Sequence, residues 1–365
     1  MYRRARGLLF KLSPEQAHKV AEWGARAVQR VAPGIISSRY AFSDTALHQT
    51  LWGLAFRNPV GLAAGFDKNA TMPAFWASVG MGFVEVGSVT ARAAEGNPKP
   101  RAFRLPADEA LINRMGLNND GAERVARRLT ACRETVDIPI GVNIAKTPDD
   151  RILGDAARAD FRESYRHLAP LADFVVLNIS CPNTEDGKTF EEPEALDALL
   201  TALADERKGE GDRPLLVKFA PPVTTRIAFD SRIEELLSVA DDHDIAGVIA
   251  TNTASDRAGL NTAADELKRI GRGGLSGVPL QERSTALVRY IYRTTDGSVP
   301  IIGVGGINSA EAALEKIEAG ASLVELYTGL VYHGPALVHE IKKGLVRLMD
   351  ERGYGTLHEA IGARA

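Results

Sequence analysis

The chain has 365 residues, 45% of them hydrophobic and 25% charged, with a net charge of −3. That is the make-up of a globular protein with a large core, and it gives no general pull toward nucleic acid. The two cysteines, Cys132 and Cys181, stand far apart and outside any CxxC pair, which excludes a four-cysteine zinc or iron–sulfur site within this chain and argues against a disulfide scaffold.

No apolar run reaches the ~18 residues of a membrane span, and the first residues lack a signal-peptide pattern, so neither a transmembrane helix nor a cleaved leader is expected. Residues 1–40 read as two short helices. Ser13-Pro14-Glu15-Gln16 is a helix start with Ser13 as cap, Pro14 in the first turn and Gln16 at the capping-box position. Ala17, Val20, Ala21, Gly24, Ala27, Val28 and Val31 then share one stripe, and Pro33-Gly34 ends the pattern. Upstream, Tyr2, Leu8, Leu9, Phe10 and Leu12 lie among Arg3, Arg4, Arg6 and Lys11.

The segment carries eight cations against Glu15 and Glu22, a net +6 that leaves −9 for the rest of the chain. A short apolar surface ringed with positive charge is the pattern of an interfacial helix, and an ordinary helical hairpin is the competing reading.

From about residue 45 the rhythm changes to short apolar runs followed by polar or glycine-rich residues and then a helical stretch. The runs are Val60–Ala64, Phe83–Val86, Ile140–Ile144, Phe174–Ile179, Leu215–Phe219, Gly247–Ala250, Pro300–Val304 and Leu323–Leu326. Eight buried strands alternating with helices predict a single α/β domain, a (β/α)8 TIM barrel over residues 41–365 behind the helical pair of residues 1–40. A doubly wound sheet is the rival architecture. The longest connections, 87–139 and 180–214, follow strands at the end where such barrels place their chemistry.

Polar clusters stand at nearly every strand end. They are Ala64-Gly65-Phe66-Asp67-Lys68, Ser88, Asn143 leading to Lys146, Asn178 through Thr184, Lys218, Thr251-Asn252-Thr253, Gly303 through Gly306, and Tyr327-Thr328-Gly329. Asn113-Arg114-Met115-Gly116-Leu117 lies in the long second loop. Carboxamides suit a planar ligand with alternating C=O and N–H, such as a pyrimidine. No carboxylate pair and no metal-ligand set is apparent, and Lys68 is placed to neutralise Asp67. Strand alternation aims Lys218 into the barrel, where a lysine needs a counter-charge; a flavin made anionic by reduction would supply one. The Gly303–Gly306 loop and the Tyr327–Gly329 turn form a phosphate cradle. Cys181, directly after a strand, is the candidate for proton transfer, with a small buried hydrophobe as the alternative. The histidines fall at no strand end and receive no role.

Asn58 through Gly65, Ile112 through Gly116, Asn178 through Thr184, Ile249 through Thr253, Gly273 through Gly277 and Ile302 through Ile307 resemble the motifs of dihydroorotate dehydrogenases, in order and spacing from the first residues to about 345. The N-terminal helices resemble the extension of the quinone-dependent class.

The resemblance implies FMN contacts from Ala64, Gly65, Phe66, Asp67, Lys68, Ser88, Asn143, Asn178, Lys218, Thr251, Gly277, Gly306, Tyr327 and Thr328. It implies substrate contacts from Lys68, Asn113, Arg114, Met115, Gly116, Leu117, Asn178, Asn183, Asn252 and Thr253. Cys181 would take the proton from C5 of dihydroorotate as hydride leaves C6 for the flavin, and Lys218 would stabilise the reduced flavin. A membrane quinone would collect the electrons between the N-terminal helices, near Arg104 and Tyr327. The implied setting is a peripheral enzyme of pyrimidine biosynthesis on the cytoplasmic face of a bacterial inner membrane, free of metal and nucleic acid.

Two features depart from the quinone-dependent pattern. That class usually carries Ser where this chain has Cys181, and Glu185 through Thr189 lack the usual Pro-Gly-Leu-Arg-like run. Cys is the habit of the soluble class, which uses fumarate or NAD and stands as the alternative. A tRNA-modifying flavin barrel would need a basic face, which the −9 of the barrel portion opposes.

Overall fold

The computed structural model describes residues 2–180, 189–208, 212–225, 227 and 229–365, with only the backbone described at Arg3, Arg4, Pro33 and Thr189. Three helices precede the barrel: α1 (Tyr2–Leu9), α2 (Pro14–Val31) and α3 (Pro33–Tyr40). The expected pair is therefore a trio. Pro33 lacks the N–H that would continue α2, yet its fixed φ suits a first turn, so the residue that stops one helix starts the next. The capping box is present: Ser13 Oγ accepts from Gln16 N, and Ser13 N donates to Gln16 Oε1 at 3.1 Å.

Eight parallel strands close a barrel: β1 (Val60–Leu62), β2 (Phe83–Val89), β3 (Ile140–Ile144), β4 (Phe174–Asn178), β5 (Leu215–Phe219), β6 (Gly247–Ala250), β7 (Ile301–Val304) and β8 (Leu323–Leu326). Each pairs with its neighbour in sequence, and β8 returns to β1 through Glu325 opposite Gly61. All eight expected strands are present, the first being two residues shorter and the second three longer at its C-terminal end than expected, because a sheet covered on both faces needs near-continuous apolar runs.

The barrel floor is an apolar plug of Phe83, Phe174, Val176, Leu216, Ile249, Ile302 and Leu323, joined by Phe56. Phe56 belongs to a short hairpin, Gln49–Leu51 with Leu54–Phe56, whose Trp52 ring lies 5.8 Å from that of Phe174. Gly61 and Gly141 make room for the plug: a Cβ at either would lie within 2.3 Å of the Phe83 or Phe174 ring.

Side chains alternate along a strand, so two positions above each plug residue another side chain enters the barrel. Phe83 is followed by Glu85, Gly141 by Asn143, Val176 by Asn178, Leu216 by Lys218, Ile249 by Thr251 and Leu323 by Glu325. On these strands the interior changes from hydrocarbon to polar groups in one step, while on β7 Ile302 is followed by Val304.

A three-stranded antiparallel sheet, absent from the sequence-based expectation, covers the polar end. Ala110–Asn113 pairs with both Ala102–Leu105 and Gly274–Gly277. These segments come from the loops after β2 and β6 and carry Asn113 and Gly277 to the mouth.

Candidate active site

The mouth holds a cavity of about 160 Å³ lined by the ends of the strands and the antiparallel sheet. Its floor is ionic. Lys218 Nζ donates to Glu85 Oε2 at 3.0 Å and stands 3.8 Å from Glu325 Oε2. Glu85 also accepts from Ala64 N at 2.9 Å and from Asn143 Nδ2 at 2.8 Å. Burial works to lower the Lys218 pKa, but Glu85 and then Glu325 outweigh it, so the ammonium is held above its usual range. Glu325 is fully buried, and neither carboxyl oxygen finds a hydrogen-bond partner among the described residues. Burial, reinforced by the neighbouring Glu85 charge, pushes its pKa well up.

Two expectations are corrected here. The site does contain a carboxylate pair, and Lys218 has its counter-charge within the protein. The alternation that placed Lys218 inside the barrel places Glu85 and Glu325 there as well.

Above the floor runs a chain of amides and hydroxyls. Asn178 Nδ2 donates to Ser88 Oγ at 2.9 Å, and Asn252 Nδ2 donates to Asn178 Oδ1 at 3.2 Å and to Ser180 Oγ at 3.1 Å. Ser180 Oγ donates to Lys218 O at 2.9 Å, tying the ends of β4 and β5 together. Lys68 Nζ donates to Gly65 O at 2.8 Å; burial, helped by Arg101, lowers its pKa to about 8. Opposite, Gly305 and Gly306 are successive left-handed residues, a turn that directs backbone N–H groups to one side.

A second cavity of about 580 Å³ lies between α1, α2 and the barrel. Arg101 pairs with Glu15 at 3.0 Å, and Thr71 Oγ1 donates to Glu22 Oε1 at 2.8 Å. The His18 ring stands edge-on to Phe66, whose ring is 5.2 Å from that of Tyr327. Burial, with Lys68 next in effect, lowers the His18 pKa to about 4. Burial pushes the Tyr327 phenol up to about 12. Lys68, Asn113, Met115, Ser276 and Tyr327 line both cavities.

Of the residues expected to contact a cofactor or substrate, Ala64, Gly65, Lys68, Ser88, Asn113, Met115, Gly116, Leu117, Asn178, Lys218, Thr251, Asn252, Thr253, Gly277, Gly306, Tyr327 and Thr328 line the mouth cavity. Asn143 lies just beneath it, with Oδ1 unpartnered among the described residues.

Three placements differ. Phe66 and Asp67 line the second cavity. Asp67 is not neutralised by Lys68; it accepts from Thr71 N at 2.8 Å and Met72 N at 2.7 Å, closing the turn after β1. Arg114 turns away from the mouth to the carbonyls of Ile270, Arg272 and Pro100 and stacks on Phe103. Lys146 donates to Asp149 O and Ile152 O. Cys181 and Asn183 lie outside the described residues. His18, Arg101, Glu109 and Glu325 were not expected at either cavity; an Ala17–His18–Ala21 spacing on the α2 face was the available signal for His18.

Comparison with known proteins points one way. A family model described as dihydroorotate dehydrogenase matches residues 46–349. The chain is 44% identical to the dihydroorotate dehydrogenase (quinone) of Haloarcula marismortui over 98% of each chain. It is 43% identical to that of Nocardia farcinica, covering 100% of this chain and 97% of the relative. Among solved structures, the dihydroorotate dehydrogenase of Eimeria tenella in complex with ferulenol aligns with a TM-score of 0.85 at 33% identity, over 97% of this chain and 98% of that one.

Proposed function

The chain belongs to the dihydroorotate dehydrogenase family, as a flavin-dependent oxidoreductase of the quinone-reducing kind that serves pyrimidine biosynthesis, and we propose that FMN occupies the barrel mouth while the quinone is reduced in the helix-lined cavity. The observation that carries this reading is that the two cavities share the wall formed by Tyr327, Lys68, Asn113, Met115 and Ser276. On this reading the first cavity takes the electron donor and the second the acceptor, on either side of these five residues.

The residues present fit a flavin with a single phosphate. Asn143 Oδ1 is a buried acceptor without a donor among the described residues, Lys218 is a buried cation, and Gly305-Gly306 forms one anion-binding turn. FMN would be held by Ala64, Gly65, Ser88, Asn178, Lys218, Thr251, Gly277, Gly306, Tyr327 and Thr328, with Asn143 orienting Glu85 from below. When bound, the flavin supplies the two-electron acceptor that the protein side chains lack.

The protein's own part is binding, orientation and proton movement. Asn113, Asn178, Asn252 and Thr253 offer amide and hydroxyl groups to a pyrimidine ring, and the donors not spent on one another fix its plane. Lys68 is the cation for an anionic substrate group. Its lowered pKa, about 8, still leaves it mainly charged at neutral pH. Cys181 is the proposed base for C5. It follows Ser180, whose hydroxyl donates to Lys218 O and accepts from Asn252 Nδ2.

The N-terminal helices are the proposed contact with a membrane surface, on the cytoplasmic side of a bacterial inner membrane. Leu8, Leu12, Val20, Trp23, Val28, Val31 and Ile35 are exposed there, Val31 by 84% and Trp23 by 75%, beside a net charge of +6. An apolar face among cations is what binding to an anionic lipid surface requires. Among the described residues no helix is long and apolar enough to cross a membrane.

Anaerobic titration of the purified protein with dihydroorotate, followed by a short-chain ubiquinone, tests the whole reading. The flavin absorbance should bleach and then return. Reoxidation by fumarate or NAD but not by quinone would transfer the enzyme to the soluble class.

A further inference from the structure

Glu325 is the least explained group in the mouth. Its strand neighbours in register are Gly61 on β1 and Val304 on β7, which offer it no polar side chain. Across the barrel it meets two charged groups, Glu85 on β2 and Lys218 on β5. Its side chain is wholly buried yet lines the cavity, and neither oxygen has a hydrogen-bond partner among the described residues.

Glu85 is in the opposite position. Lys218 Nζ, Ala64 N and Asn143 Nδ2 all donate to it, at 3.0, 2.9 and 2.8 Å. Three donors on one carboxylate stabilise its charged form, whereas a buried carboxyl without donors is stabilised by keeping its proton. One cation cannot neutralise two carboxylates, and the geometry has already assigned Lys218 to Glu85.

We propose that Glu325 is a neutral, proton-bearing carboxylic acid that sets the charge of the cofactor site. With the proton present, Lys218, Glu85 and Glu325 sum to zero. Without it, they sum to −1 in the floor of the cavity proposed to hold the cofactor. Burial, together with the Glu85 charge, favours the protonated form. The proton also gives Glu325 a donor, to be offered to Glu85 or to a ligand in the mouth. Loss of that proton at alkaline pH makes the site hostile to an anionic reduced cofactor, so Glu325 fixes the upper pH limit of easy flavin reduction. The electrostatic consequence rests on the flavin reading above; the protonation of Glu325 does not.

The test is infrared spectroscopy of the full-length protein, as purified, beside Glu325→Gln. At pH 7 the wild type should show the carbonyl stretch of a buried carboxylic acid, shifted in D2O and missing from the variant. Following that band in the wild type alone as pH rises keeps the test independent of how well the variant folds. The flavin midpoint potential supplies the second readout. At pH 7 the two proteins should agree to within about 30 mV, a tenfold change in a two-electron equilibrium. At alkaline pH the wild-type potential should fall below that of the variant. A wild type lacking the band at pH 7, or a variant whose potential lies more than about 30 mV higher at that pH, would show Glu325 to be ionised and overturn the proposal. A protein that purifies without flavin would count against the cofactor reading, and the band would still decide the protonation of Glu325.

Discussion

Arg101 and Glu15 join the barrel to α2 through an ion pair of 3.0 Å in which both side chains are largely shielded from water. Arg101 also donates to Glu95 O and Asn97 O, so its guanidinium is fixed from the barrel side before the helix arrives. The pair forms part of the wall of the helix-lined cavity. Removing one partner of a buried pair leaves the other uncompensated, at about 3–5 kcal/mol. Glu15→Ala should therefore lower stability by an amount in that range. It should also slow reoxidation of the flavin by quinone far more than its reduction by dihydroorotate. Stopped-flow measurement of the two half-reactions checks this, and an equal loss in both would deny α2 a role in acceptor binding.

Glu85 carries the charge balance of the barrel interior. Glu85→Ala removes the acceptor for Lys218, Asn143 and Ala64 N together, in a site closed below by the aromatic plug. The expected loss is again about 3–5 kcal/mol, measurable by denaturant titration. Weakened flavin retention on desalting should accompany it. Lys218→Met in the same background should restore part of the stability but not the flavin, because it removes the orphaned charge along with its function.

The barrel was legible because its strands are fully buried and therefore read as unbroken apolar runs. The two acids were not, although the same alternation that turned Lys218 inward applies to Phe83–Glu85 and Leu323–Glu325. An acid within an apolar strand gives no hint, from sequence, of the cation that will face it across the barrel. The antiparallel sheet was hidden for a different reason. Ala110–Asn113 pairs with residues more than 160 positions away, and three or four residues carry too little periodicity to announce a strand. Arg114 was misplaced because proximity in sequence to Asn113 and Met115 says nothing of direction: successive residues of an extended chain point to opposite faces.

His18 supplies a pH dependence. Its folded pKa of about 4 lies below the ordinary 6.5, so the unfolded chain binds more protons between those values. Stability is fully present above pH 6.5 and is lost as pH falls toward 4, by at most about 3 kcal/mol at 1.36 kcal/mol per pH unit. Thermal unfolding across that window should show a shallower fall in His18→Gln than in the wild type. Parallel curves would mean that the ring titrates normally and stands in water.

The exposed apolar face of the N-terminal helices should govern membrane attachment. Trp23, Val31 and Ile35 are 75%, 84% and 67% exposed, so replacing them with Ser removes little internal packing. Each buried side chain of this size contributes about 1.5–3 kcal/mol when taken out of water, so the triple variant should lose at least tenfold in binding to anionic vesicles. Flavin reduction by dihydroorotate should be unaffected. Vesicle cosedimentation unchanged by the triple variant would leave the face without a lipid role.

The base is the last question. A thiol titrates near pH 8.5, several units below any serine hydroxyl, so a cysteine base reaches its active form at lower pH. If Cys181 takes the proton from C5, Cys181→Ala should slow flavin reduction by about 10²- to 10⁴-fold, the usual contribution of a positioned base. Cys181→Ser should retain more of the rate but need a higher pH to do so, because the ordinary pKa of the group is higher. The contrast matters because loss of packing alone would lower both variants at every pH, whereas loss of a base displaces the pH–rate profile of the serine variant. Flavin reduction at the parent rate in Cys181→Ala would remove the thiol from the mechanism.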